Sequence, residues 1–113
     1  MTIDKKWKHA GLVCVLRHGA FDAPCGYVAV PKDSPLYRKH YSWIFDNYPD
    51  AEIPVEITFE GSIDDEDEFF LGFDMAHACD LEGFGPNMHC IRTDEECIKL
   101  TNEFAEFIAD FKA

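Results

Sequence analysis

Short apolar runs alternate with polar, turn-forming segments along the first third of the chain. Gly11 to Arg17 is an apolar, β-branched run typical of a buried strand. Gly26 to Val30 is a second such run, stopped by Pro31. The segment between them, His18 to Pro24, has the Gly, Asp and Pro content of a loop. The two runs therefore predict an antiparallel hairpin with a long connection.

A second hairpin is predicted in the middle of the chain. Val55 to Glu60 alternates strictly between apolar and polar residues, which predicts a half-buried strand. Glu68 to Asp74 is an apolar run, which favours a central position in a sheet. Gly61 to Asp67 would join the two strands as a hairpin loop.

Two segments carry helical patterns. Ser34 and Pro35 suit the N-cap and first position of a helix, and an apolar stripe follows them at spacings of three and four: Tyr37, Tyr41, Ile44, Phe45 and Tyr48. The aromatic content of this stripe would also suit an irregular packed segment.

The C-terminal helix is predicted by its start signal and its stripe. Thr93 to Glu96 forms a capping box, and its acidic residues suit the helix dipole. One face then carries Cys97, Leu100, Thr101, Phe104, Ile108 and Phe111. Such a face must be buried, and the sheet is the available surface. We therefore predict an α+β fold, an antiparallel sheet covered by a C-terminal amphipathic helix, with a second helix at the aromatic stripe.

Composition places these elements in one acidic domain spanning residues 1–113. The chain has 22 acidic and 10 basic residues and a formal net charge of -12. Its 47% hydrophobic content is too high for a disordered acidic tail. The negative charge argues against direct binding to nucleic acid or to an anionic membrane.

Targeting signals and cysteine usage suggest an intracellular protein. No apolar run has the length of a signal peptide or a membrane span, so we expect an intracellular, cytoplasmic protein. The five cysteines are an odd number and include no C-x-x-C pair. We expect free thiols, with Cys14 and Cys97 in the core.

Five consecutive carboxylates form the tip of the second hairpin: Asp64, Asp65, Glu66, Asp67 and Glu68. Such runs usually form a solvated loop that limits aggregation. The alternative is a binding surface that imitates nucleic-acid phosphates and occupies a basic groove on another protein.

The densest polar constellation is Asp74, His77 and Asp80, which recur every three residues. A carboxylate beside an imidazole raises the basicity of the ring. Cys25 could therefore act as a nucleophile, with His77 as base and Asp74 or Asp80 as orienting group. The ligand types of His18, Cys25, His77 and Asp80 would also suit zinc. The structural alternative is a strand-to-turn junction with a satisfied histidine.

Over most of its length, from about residue 25 to the end, the sequence resembles a family of small uncharacterised proteins of bacteriophages and prophages. The specific motif is Gly-Phe-Asp-x-Ala-His-Ala-x-Asp, at residues 72–80. The weaker matching segments are Cys25 to Pro31, Pro35 to Tyr37, Ile57 to Gly61 and Arg92 to Glu96. This chain departs from the family at Cys79, where Gly is frequent, and at Val55-Glu56, where Gly-Gly is frequent. The resemblance implies a phage accessory protein, located in the cytoplasm of a bacterial host cell, and no particular reaction.

Two functions follow from these observations. The first is an interaction protein that binds a host protein with a basic groove, such as a nucleic-acid-handling or defence protein, and inhibits it. The second is a metal- or Cys-dependent enzyme, or a sequestering binder, that acts on a small molecule such as a nucleotide.

Overall fold

A computed structural model describes residues 3–19, 23–63, 68–74 and 93–111 of the chain. These residues form a five-stranded antiparallel sheet in the order β1-β2-β3-β5-β4 and two helices. The strands are β1 (Lys5–His9), β2 (Leu12–His18), β3 (Pro24–Ala29), β4 (Phe59–Gly61) and β5 (Phe70–Asp74). The helices are α1 (Tyr41–Asn47) and α2 (Asp94–Asp110). The predicted α+β fold is confirmed, with α2 packed on the sheet.

The helix-side face of the sheet forms the main core. Because side chains alternate along a strand, Cys14, Leu16, Val28 and Phe73 share the face that α2 covers. The apolar stripe of α2 faces them through Cys97, Thr101, Phe104, Ala105 and Ile108, all buried. This contact confirms the predicted partnership between the C-terminal helix and the sheet.

The opposite face carries a second cluster, made by Val15, Cys25, Tyr27, Ala29, Ile63 and Phe70. The Tyr27 ring lies over Gly72, and a β-carbon at residue 72 would lie 2.3 Å from Tyr27 Cδ2. Phe59 meets Tyr27 edge-on with ring centroids 5.2 Å apart. Gly72 therefore makes room for an aromatic pair that crosses three strands.

The first strand, β1, was not predicted from the sequence. β1 consists of Lys5-Lys-Trp-Lys-His9, in which Trp7 is the one apolar residue and packs against the core. Lysines are typical of an edge strand, since they discourage pairing with other chains. Ala10 and Gly11 join β1 to β2 with φ of 55° and 79°, the positive angles of a tight primed turn.

Two predicted boundaries are corrected. Helix α1 begins at Tyr41, with His40 as N-cap, and not at Pro35. Residues 35–38 form turns, and Arg38 has a positive φ of 59°, which a continuous helix excludes. Strand β4 begins at Phe59 and not at Val55, and the chain bends at Pro54 and Val55.

Candidate functional site

Among the predicted site residues that the structure describes, Cys25 and Asp74 lie side by side. They are directly opposite in the β3–β5 register, so their side chains leave the same face of the sheet. Asp74 Oδ2 also accepts a hydrogen bond from Thr58 Oγ1 at 3.2 Å. Cys25 therefore has a carboxylate neighbour, whereas the predicted role of Asp74 as the orienting group of His77 stays a prediction.

The thiol of Cys25 is poorly suited to nucleophilic attack. Cys25 is 5% exposed, and burial raises the pKa of its thiol. A hydrogen bond with Tyr27 and the charge of Arg17 act in the opposite direction, while the charge of Asp74 raises the pKa further. A protonated thiol at neutral pH is a weak nucleophile.

Arg17 and Tyr27 complete this polar cluster, and neither residue was predicted from the sequence to belong to a site. The Arg17 guanidinium donates to Tyr27 Oη at 3.0 Å, and its centre lies 4.5 Å from the Tyr27 ring centroid. Burial raises the pKa of Tyr27, so the phenol stays neutral. Arg17 ends an apolar run and lies two residues after Val15 and four after Val13, so the three side chains leave the same face of the strand. This alternation was the sequence signal that could have placed Arg17 on that face.

His18 lies on the other side of the sheet from Cys25. Arg17 is the residue paired with Cys25, so the next residue along β2 points to the helix side. There His18 Nδ1 lies 2.8 Å from Asp4 Oδ2, and Nε2 lies 2.8 Å from Asp94 Oδ1. Hydrogen bonds to these two carboxylates raise the pKa of His18. The structure thus gives His18 carboxylate partners and does not bring it to Cys25.

The remaining predicted residues of this site, His77 and Asp80, lie outside the described residues. Among the residues that are described, no three His, Cys, Asp or Glu side chains come together in a way that could hold a metal ion. Joint zinc ligation by His18 and Cys25 conflicts with their opposite faces. A role of His77 and Asp80 in metal binding stays a prediction.

Most of the predicted acidic tip, Asp64 to Asp67, also lies outside the described residues. Glu68 is described and is exposed just before β5. The suggestion that this run imitates phosphates therefore stays a prediction.

A groove that pattern analysis missed runs between the second half of α2 and the segment at residues 51–54. It has a volume of about 550 Å³. Its apolar floor consists of Ala51, Pro54, Phe107 and Phe111, and its acidic rim consists of Glu52, Glu103, Glu106 and Asp110. We call the floor and the rim together the acidic groove. The spacing of the carboxylates on α2 can be read from the sequence. That residues 51–54 face them is seen only in the folded structure.

Comparisons with protein-family models, with curated proteins and with solved structures find no match for this chain. Within the described part of the chain, neither helix has the length and apolar character needed to cross a bilayer.

Proposed function

We propose that this protein is a phage-type accessory protein that binds a host protein through its negative surface. The proposed partner is a nucleic-acid-handling or defence protein with a basic groove, whose activity the bound protein inhibits. The resemblance to phage proteins supports the setting, and the charge distribution supports the mode of binding.

The observation that carries this proposal is the outer face of α2. The helix contains six acidic residues and a single cation, Lys99. Its inner face is buried against the sheet, so the charges face outward, and Glu95, Glu103, Glu106 and Asp110 are exposed. A long surface element with one sign of charge raises the local concentration of oppositely charged partners.

Electrostatic attraction of this kind acts mainly on the rate of encounter. It is screened over about 8 Å at physiological ionic strength. The affinity for a basic partner should therefore fall steeply as salt is added, whereas an interface made of apolar contacts alone would respond little.

The experiment begins with the immobilised protein and a bacterial lysate at low salt. Proteins eluted by salt are purified, and their affinity for the chain is measured between about 50 and 300 mM NaCl. We expect the eluted proteins to be nucleic-acid-binding proteins whose affinity for the chain falls at least about tenfold over this range of salt. We also expect the chain to displace DNA from them. Binding that is independent of salt, or that leaves DNA binding unchanged, would refute the proposal.

A charge reversal tests the part that the hairpin tip plays. Replacement of Asp64, Asp65, Glu66, Asp67 and Glu68 by lysine should weaken the same complexes if the tip is a contact surface. The matched control reverses Asp33 and Asp46, two exposed acidic residues that belong neither to the tip nor to α2.

A further inference from the structure

The floor of the acidic groove is a fixed aromatic surface. Phe107 and Phe111 have ring centroids 5.4 Å apart, and both are only partly buried. Tyr48 meets Phe111 edge-on at 4.8 Å, and Phe107 stacks on the buried ring of Phe104. Because these neighbours hold the two rings in place, the floor can receive an apolar side chain without rearrangement.

The rim of the groove concentrates like charge on one side of α2. Glu103, Glu106 and Asp110 follow one another at spacings of three and four residues, so they are neighbours on the helix surface. Like charges at this spacing destabilise a helix. Glu52 adds a fourth carboxylate from the facing segment.

The position of Asp110 increases this repulsion. Asp110 is the last residue of α2, where the helix dipole presents its negative end, and the last turn contains no basic residue. His9 Nε2 lies 2.5 Å from Glu106 Oε2 and so engages one of the carboxylates. A cation bound at this end of the groove would relieve both the pairwise repulsion and the unfavourable dipole interaction.

We infer that the acidic groove binds a basic segment of the partner protein, with Lys or Arg side chains on the rim and one bulky apolar side chain on the floor. This inference rests on the proposed function and gives its partner a docking position. Charge complementarity selects this occupant, since the described residues that line the groove include four carboxylates and no Lys or Arg. Lys99, four residues before Glu103 on α2, does not line the groove.

The test uses a short fluorescein-labelled peptide in which a central leucine pair is flanked by lysines. Its affinity is measured by fluorescence anisotropy for the full chain and for Glu103→Lys/Asp110→Lys. Asp33→Lys/Asp46→Lys is the matched control, because it changes the net charge equally at exposed sites outside the groove. We expect the groove variant to weaken binding at least about tenfold and the control less than about threefold.

Two further readouts separate docking in the groove from general charge attraction. Replacing the leucines of the peptide by serine should weaken binding about fivefold or more, because the aromatic floor would lose its contact. In ¹⁵N-labelled protein, the amide shifts caused by the peptide should cluster at residues 51–53 and 103–111.

Several results would overturn the inference while the proposed function stands. The first is that the groove and control variants weaken peptide binding equally. The second is that replacing the leucines leaves the affinity unchanged, and the third is that the amide shifts are confined to the hairpin tip. In each case the captured host proteins would still bind in a salt-dependent manner. Failure to capture such proteins, with the peptide still bound in the groove, would instead refute the proposed function.

Discussion

Gly26 lies directly beneath Thr101, because a β-carbon on Gly26 would come 2.1 Å from Thr101 Oγ1. The same β-carbon would lie 2.7 Å from two atoms of the Phe73 ring. Thr101 Oγ1 is held by a hydrogen bond that it donates to the carbonyl of Cys97 at 2.6 Å. The absence of a side chain at residue 26 therefore sets how closely α2 approaches the sheet.

Gly26→Ala should destabilise the protein by about 2 kcal/mol, since the added methyl overpacks the interface between β3 and α2. Urea unfolding followed by circular dichroism measures the change. In Gly26→Ala/Thr101→Ala the nearest clash is gone, so the added cost of the alanine should be smaller than in the wild-type background. Without this close approach, alanine in a strand would be neutral or favourable, and that result would contradict the packing described.

His18 should stabilise the fold more in mild acid than in mild base. Its pKa is raised in the folded state by Asp4 and Asp94, so protonation favours folding. The contribution is complete below the ordinary histidine pKa and is lost as the pH rises through the folded-state pKa. The stability difference between wild type and His18→Gln should thus be larger at about pH 5.5 than at about pH 8.5.

The size of this effect should not exceed about 1 kcal/mol, because the His18 side chain is 27% exposed and solvent screens the pairs. Asp4→Asn is the matched variant, since it removes one carboxylate and leaves the start of α2 intact. It should retain part of the pH dependence. A difference that grows with pH would contradict the assigned pairs.

Thr93→Ala should cost about 1 kcal/mol of stability through loss of the N-cap of α2. Thr93 Oγ1 accepts a hydrogen bond from the backbone N–H of Glu96 at 3.1 Å, which confirms one half of the predicted capping box. Thr93→Ser keeps the hydroxyl and should restore most of the stability in thermal or urea unfolding. Equal losses in the two variants would show that the hydroxyl is not the cause.

Cys25 should react slowly with iodoacetamide in the native protein. Its thiol is buried with a raised pKa, and burial also raises the pKa of Cys14 to about 11 and of Cys97 to about 12. Alkylation of these three residues, followed by peptide mass spectrometry, should be at least about 100-fold slower than in urea. Rapid native alkylation confined to Cys25 would support the enzyme hypothesis of the sequence analysis.

The strands and helices with a clear period were predictable. β2, β3, β5 and α2 lie where the apolar runs and the stripe of α2 indicated. β1 was not predicted because Trp7 is its one apolar residue among lysines and a histidine. The prediction for α1 began too early because the positive φ at Arg38 leaves no trace in the spacing of apolar residues. Periodicity reports burial of a face, so it is weakest at an edge strand and at an irregular turn.

For the site, the sequence identified the residue types and the fold decided which of them meet. Cys25 and Asp74 are 49 residues apart in the chain and become neighbours only through the β3–β5 register. His18 and Cys25 are close in sequence, yet the alternation of β2 and its register with β3 place them on opposite faces.

By itself, then, the sequence determined the α+β class, the excess of negative charge and the capped amphipathic helix, because these depend on local pattern and composition. Only the tertiary structure decided that α2 packs closely over Gly26 and that His18 contacts Asp4 and Asp94. It also decided that Phe107 and Phe111 form the floor of an acidic groove. Those relationships depend on strand register and on contacts between segments distant in the chain, and no short window of sequence contains them.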